Sequence, residues 1–183
     1  GRRVVRHLVS LDCCPRLGDD AVVCRSFCRQ GPKILPMKQV KKSVLLWHTP
    51  AQMYALVTDV ASYPRFLPWC SGAEVLSEDD AGMQARLHMS FGGVKQSFET
   101  RNTHVKDERV GMSLVNGPFS HLRGEWRFLP LADGKACRVE FELEYAFGSV
   151  ALQALISPVF DRIAASLVDS FVQRADEVHG DGA

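Results

Sequence analysis

Residues 121–147 read HLRGEWRFLPLADGKACRVEFELEYAF, and this stretch decides the fold class. Apolar and polar side chains alternate on both sides of Asp133-Gly134, a dipeptide typical of hairpin turns. The residues that share the apolar face are Leu122, Gly124, Trp126, Phe128, Val139, Phe141, Leu143 and Tyr145. The opposite face carries Arg and Glu, whose cross-strand pairs set the register of two antiparallel strands. The sequence therefore predicts a hairpin with one buried and one wet face.

The same period of two continues upstream of this hairpin. Residues 83–91 are apolar at every odd position, and Gly92-Gly93 predicts a turn into a strand over residues 94–105. Residues 110–114 alternate again before a turn at Asn116-Gly117-Pro118. Residues 38–47 are rich in β-branched and apolar side chains, which favours a first strand. The sequence therefore predicts a series of antiparallel strands.

Two helices flank these strands. Thr49 and Pro50 provide an N-cap and a first helical residue for a short helix that ends near Val60. Residues 151–178 carry an apolar stripe at three- and four-residue spacing, and Ser157-Pro158 either caps a new helix or kinks a continuous one. Segregated strands and helices predict an α+β domain, in which the long C-terminal helix lies on a curved antiparallel sheet of six or seven strands. Such a helix can leave a space between itself and the sheet.

The chain divides near residue 36. Residues 1–36 lack a sustained helical or strand period and carry a net charge of +4, which leaves −3 for the rest of the 183-residue chain. Our leading hypothesis is that Met37 is the biological start, so that residues 1–36 form a disordered or non-native extension. An organellar transit peptide is the alternative, although Asp12, Asp19 and Asp20 are unusual in one. Residues 37–180 are predicted to form the domain and residues 181–183 a tail.

Composition argues against several classes of function. The slightly acidic main domain does not favour DNA binding, which needs clustered positive charge. Cys13, Cys14, Cys24 and Cys28 lack the CxxC and histidine spacing of a zinc site, and six cysteines without a secretory signal predict a reducing, cytoplasmic setting. No segment is predicted to cross a membrane. No nucleophile, phosphate-binding or dinucleotide motif is present, and Cys70 lacks a nearby base, so we assign no catalytic residue.

Residues 63–72, YPRFLPWCSG, combine two prolines with large apolar side chains, which excludes a regular helix or strand. A loop is normally polar, so its apolar residues need an explanation. Phe66, Leu67 and Trp69 either close over an apolar ligand near the end of the long helix or form a small core that fixes the loop.

Several motifs in order resemble the coenzyme Q-binding START-domain family and its bacterial relative, the ribosome-association toxin family. They are Val57-Thr-Asp-Val60, Tyr63-Pro64, Phe66-Leu-Pro-Trp-Cys70, Leu122-Arg-Gly-Glu-Trp-Arg-Phe128, Pro158-Val-Phe-Asp-Arg162 and Ser170-Phe-Val-Gln-Arg-Ala175. The resemblance covers residues 37–180. It implies the helix-grip fold of the polyketide cyclase-like (SRPBCC) superfamily, in which a seven-stranded antiparallel sheet wraps around the last helix and encloses an apolar cavity.

The resemblance implies two functions. Our leading hypothesis is a non-enzymatic protein that binds ubiquinone or another polyisoprenoid lipid and supports respiratory electron transport. It would require no cofactor beyond a bound ubiquinone. We expect it in the bacterial cytoplasm, with transient contact to the inner membrane surface. The alternative is a toxin that binds the large ribosomal subunit, blocks subunit association and so inhibits translation initiation; Lys38, Lys41, Lys42, Arg123 and Arg127 are its basic clusters. An aromatic polyketide cyclase is a third hypothesis.

Residues expected to contact the ligand come from the loop, the inward strand faces and the apolar stripe of the last helix. They are Phe66, Leu67, Trp69, Met83, Leu87, Met89, Phe91, Trp126, Phe128, Phe141, Tyr145, Phe160, Ile163 and Leu167. For each strand residue taken alone, ordinary core is the favoured interpretation, and only their combined excess points to a pocket. The two methionines suit a deformable pocket, and buried tryptophan or tyrosine needs a hydrogen-bond partner.

Overall fold

Seven strands form one antiparallel sheet in the computed structural model, which describes residues 36–180. The strands are β1 (Lys38–Leu46), β2 (Cys70–Asp79), β3 (Gly82–Phe91), β4 (Val94–Val105), β5 (Arg109–Asn116), β6 (Phe119–Leu131) and β7 (Ala136–Phe147). Their order in the sheet is β1-β7-β6-β5-β4-β3-β2, so the first strand closes against the last one. The predicted antiparallel sheet is confirmed. The predictions for residues 1–35 and 181–183 lie outside the described residues.

Two α-helices complete the domain, α1 (Pro50–Thr58) and α2 (Val150–His179). The predicted cap of α1 is confirmed: the Thr49 hydroxyl accepts a hydrogen bond from the Gln52 amide, and the Gln52 side chain accepts one from the Thr49 amide. A 3₁₀ helix spans Val60–Arg65 and leads into the apolar loop, and a second one spans Ala132–Gly134 at the β6–β7 turn. The chain therefore leaves α1 through a tight, broken helix.

Helix α2 is continuous through Pro158, which decides between the two alternatives that the sequence left open. Proline has no amide hydrogen, so one backbone hydrogen bond is missing in the middle of this helix. By length and composition alone, α2 is long and apolar enough to cross a membrane. This corrects the expectation that no segment of the chain has that length and composition. Its buried stripe nevertheless packs on the sheet through Ile156, Phe160, Ile163, Ala164, Val168, Phe171 and Ala175.

Strand β2 was not predicted individually from the sequence. Its residues Cys70–Asp79 are mostly exposed, and it forms the edge of the sheet beside β3. The pairing slips between Cys70 and Gly72 and again between Val75 and Ser77. Each slip shifts the side-chain alternation by one residue, so the period of two that identifies a half-buried strand is lost.

The predicted register of the β6–β7 hairpin is confirmed, with Arg123 opposite Glu144 and Arg127 opposite Glu140. The ion pairing differs from the expectation. Arg127 binds Glu125 two residues earlier on its own strand, with 2.5 Å between Nε and Oε1. Residues at i and i+2 of a strand share one face, so this side chain reaches its strand neighbour as easily as its cross-strand partner.

Candidate functional site

A partly open, mainly apolar space of about 70 Å³ lies between α2 and the inner face of the sheet. Its walls come from the 3₁₀ helix and loop, from strands β3 to β7 and from α2. The lining residues are Val60, Tyr63, Trp69, Ala85, Leu87, Phe98, Thr100, Asn102, Met112, Leu122, Trp126, Phe141, Leu143, Phe160, Ile163, Ala164, Leu167 and Phe171. The core between helix and sheet is therefore not completely filled by side chains.

Half of the predicted contact residues line this cavity. They are Trp69, Leu87, Trp126, Phe141, Phe160, Ile163 and Leu167. The sheet contributes Leu87, Trp126 and Phe141 because these residues occupy inward positions of β3, β6 and β7. Their role in ligand binding stays a prediction.

The other seven predicted residues do not line the cavity: Phe66, Leu67, Met83, Met89, Phe91, Phe128 and Tyr145. Leu67, Met89 and Phe128 are fully buried in the surrounding core. Met83 belongs to a separate small cluster with Val60 and Ala85. An inward position on a strand thus favours burial but does not decide between core and cavity wall.

Phe91 and Phe66 lie away from the cavity for different reasons. Phe91 is the last residue of β3, beside the Gly92–Gly93 turn, and it is 37% exposed. Phe66 lies behind the wall, where its ring packs edge-on against Tyr63 and Phe171 at centroid distances of 5.8 and 5.1 Å. Trp69 therefore lines the cavity, whereas Phe66 and Leu67 pack in the core that fixes the loop; closure of the loop over a ligand stays a prediction.

Tyr145 anchors α2 and does not face the cavity. Its hydroxyl donates to Asp161 Oδ1 at 2.6 Å, and the Lys38 ammonium lies 2.5 Å from Asp161 Oδ2. Ser157 also donates to this carboxylate. The Asp161 side chain is 42% exposed, and its carboxylate joins α2 to β7 and β1 through the hydrogen bonds from Tyr145 and Lys38. The anchor lies one turn from Pro158, where the helix lacks a backbone hydrogen bond.

The anchor predicts a pH-dependent stability. Desolvation opposes ionisation of Asp161, but hydrogen bonds from Lys38 and Tyr145 outweigh it and hold the pKa of Asp161 below its usual value. A lowered folded-state pKa contributes stability above about pH 4 that is lost as the pH falls through that pKa. We expect Asp161→Asn to lower the free energy of unfolding by up to about 1 kcal/mol at pH 7, because the group is partly exposed. Urea denaturation should show this difference shrinking towards pH 3, and an equal difference at both pH values would contradict the assignment.

Two buried polar groups on the cavity wall lack partners in the described part of the chain, the Trp69 indole N–H and the Asn102 amide oxygen. Thr100 and Asn102 lie on the inward face of β4, two residues apart, and are 4% and 8% exposed. Sequence analysis missed both. The available signal was the alternation of Phe98, Thr100 and Asn102 with charged neighbours, which places polar side chains on an inward face.

The two cysteines in the described region are chemically quiet. Burial raises the pKa of Cys70, and burial raises that of Cys137 to about 11. The Cys70 thiol donates to the Gly72 carbonyl at 3.3 Å. Since the thiolate is the reactive form, a thiol held protonated at neutral pH is a poor nucleophile.

Comparisons with known proteins agree on the fold and divide on function. The profile of the family described as "Polyketide cyclase / dehydrase and lipid transport" matches residues 46–172. The ribosome association toxin RatA of Vibrio cholerae is 42% identical over 145 residues, which cover 79% of this chain and 100% of that protein. The mitochondrial coenzyme Q-binding protein COQ10 homolog B of Xenopus laevis is 28% identical over 176 residues, which cover 91% of this chain and 72% of that protein. The crystal structure of the Zhui aromatase/cyclase of Streptomyces sp. R1128 superposes with a TM-score of 0.68 at 16% identity. The superposition covers 77% of this chain and 94% of that chain.

Proposed function

The chain belongs to the polyketide cyclase/dehydrase and lipid transport family, and from this premise we propose that it is a non-enzymatic protein that binds a polyisoprenoid quinone or similar lipid. The apolar cavity under α2 is the observation that carries this proposal. Its walls are almost entirely aliphatic and aromatic, as expected for a site that recognises hydrocarbon. The similarity to a coenzyme Q-binding protein supports the choice of an isoprenoid quinone.

The chemistry of the cavity wall favours binding over catalysis. None of the residues that line it is a histidine, carboxylate, lysine or cysteine. General acid–base catalysis needs a group with a pKa near the working pH. Tyr63 is the one ionisable lining residue, and burial raises its pKa far above that range. This wall supports a binding role, although structural neighbours include aromatase/cyclases.

The volume indicates that binding requires the cavity to expand. The cavity volume of about 70 Å³ is half that of an engineered apolar cavity of about 150 Å³ that accommodates benzene. An isoprene unit has almost as many carbon atoms as benzene, so it needs more space than the cavity offers. Tyr63 and Trp69 on the loop and Leu167 on α2 form walls on different elements, so separation of the loop from α2 enlarges the space. Burying two isoprene units contributes on the order of 8 kcal/mol gross, at about 0.8 kcal/mol per carbon. That gain is sufficient to offset a modest opening cost.

Filling the cavity should abolish binding without affecting the surface. Ala164 lines the cavity and is fully buried, whereas its neighbour Ala165 on the same helix is exposed. We expect native mass spectrometry with a ubiquinone of two isoprene units to show a 1:1 complex for the wild type and for Ala165→Leu. Ala164→Leu places three extra carbon atoms in the cavity and should reduce the complex at least tenfold. Absence of a complex with the wild-type protein would refute the proposal.

Association with the ribosome is the second candidate, and the 42% identity to a ribosome association toxin favours it. The basic clusters named from the sequence carry little free positive charge in the described region. Their ion pairs are Lys38–Asp161, Lys41–Glu142, Lys42–Asp169 and Arg127–Glu125. Binding to the large subunit would then depend on surface shape more than on net charge. Sucrose-gradient sedimentation of a lysate distinguishes the functions: a ribosome-binding protein moves joined ribosomes towards free subunits, and it does so equally with the Ala164→Leu cavity variant.

A further inference from the structure

The unpartnered polar groups on the cavity wall are the feature that ordinary packing does not explain. Asn102 Oδ1 can only accept a hydrogen bond, and Trp69 Nε1–H can only donate one. Both atoms are buried without a partner in the described residues. Buried polar groups in folded proteins are nearly always satisfied, and an unmatched pair on the wall of a cavity points to something that occupies it.

The two polar atoms need ligand atoms of opposite hydrogen-bonding type. The acceptor on β4 requires a donor from the ligand, and the donor in the loop before β2 requires an acceptor. Thr100, beside Asn102 on the same inward face, adds a hydroxyl to this side of the wall. The remaining wall is apolar, so the polar part of a ligand has one favourable location and its hydrocarbon part has the rest.

We propose that Asn102 and Trp69, with Thr100 beside Asn102, form a head-group site for a prenylated phenol or quinol. Such a ligand donates a hydroxyl hydrogen to Asn102 Oδ1 and accepts a hydrogen bond from Trp69 Nε1–H. A hydroxyl group can do both, whereas a quinone carbonyl only accepts and, with the amide oriented as in this structure, leaves Asn102 Oδ1 unpaired. The site thus selects the hydroxyl-bearing, reduced form of the head group. This inference rests on the proposed lipid-binding function and extends it from the tail to the head.

The decisive experiment compares probes that share one tail and differ only in the head group. Three compounds share a tail of two isoprene units: a prenylated phenol, the same compound with a methyl group in place of the hydroxyl, and the corresponding benzoquinone. Isothermal titration of the full chain should show the phenol binding about tenfold more tightly than the methyl compound, since an unmatched buried acceptor is costly. The quinone, which can use only Trp69, should fall between the two.

Variants assign the preference to particular atoms. Asn102→Leu removes the acceptor at similar size and should reduce the difference between phenol and methyl compound to less than twofold. Trp69→Phe removes the indole N–H, keeps an aromatic ring, and should weaken phenol and quinone by similar factors. Thr100→Val keeps the shape of the side chain and removes its hydroxyl. The affinities of the three probes for this variant measure the contribution of that hydroxyl. If Asn102→Leu fails to fold, the comparison of probes on the wild type still decides.

The outcomes separate the two proposals. If none of the three probes binds, the lipid-binding function itself fails. If all three bind equally to the wild type, the cavity binds tails, water occupies its polar side, and the head-group site is wrong. Tighter binding of the quinone than of the phenol, or a preference that survives Asn102→Leu, would also overturn the assignment.

Discussion

Replacing Phe171 by alanine is expected to lower the free energy of unfolding by about 3–5 kcal/mol, the usual cost of truncating a fully buried aromatic side chain. The Phe171 ring is the point at which three elements meet. Its centroid lies 5.3 Å from that of Tyr63, 5.1 Å from that of Phe66 and 5.1 Å from that of Trp126. Truncation therefore removes the contacts of this ring with the apolar loop and with the sheet at once.

Urea denaturation of Phe171→Ala measures this loss directly. The matched control is Leu155→Ala, which removes a large side chain from the same helix at a position that is 58% exposed. We expect this control to change stability by less than about 0.5 kcal/mol. A loss below about 1 kcal/mol in Phe171→Ala would mean that the loop and helix are not held together by this ring. An unchanged m-value would show that the unfolded state is unaffected.

The second large effect is expected at Gly82, the first residue of β3. Its φ of +146° is a conformation that residues with a side chain rarely adopt, and an added Cβ would lie 1.9 Å from the Asn102 carbonyl oxygen. Neither the backbone strain nor the clash can be relieved without moving the β3–β4 pairing. We expect Gly82→Ala to destabilise the protein by about 3 kcal/mol or more.

Gly93→Ala separates the two contributions to the Gly82 effect. Gly93 has a φ of +81° but open space around the added Cβ, so its replacement costs only the backbone strain of about 1–2 kcal/mol. Thermal unfolding of both variants should rank Gly82→Ala clearly lower. Equal melting temperatures would show that the clash is absorbed and that the pairing beside Asn102 is deformable.

The proposed function depends on a small number of buried positions on the cavity wall. Asn102 and Trp69 carry polar atoms without partners, and Ala164 leaves a space where a larger residue would pack. Each can be changed without altering the outer surface. Cavity variants therefore distinguish a lipid carrier from a ribosome-binding protein, because the second function depends on the outer surface alone.

The sequence by itself predicted those parts of the fold that rest on local periodicity and on the conformational limits of single residues. Alternation identified β3, β5, β6 and β7, the paired glycines located the turn into β4, and Thr49 and Pro50 located the start of α1. Each signal acts within about ten residues, so it can be detected without knowing what lies across the sheet. Strand β2 was not predicted individually because two register shifts in its pairing with β3 interrupt the alternation of its side chains.

Only the tertiary structure decided which inward residues border a space and which fill it. Trp126 and Phe128 have the same pattern, the same strand and the same burial, yet Trp126 lines the cavity while Phe128 packs towards α1 against Tyr54. The reason is physical: periodicity fixes the direction of a side chain, but a cavity is set by the summed volumes of residues distant in sequence. The hydrogen bonds of Asp161 likewise depend on residues distant in sequence. Its partners Lys38 and Tyr145 lie side by side because the first strand pairs with the last.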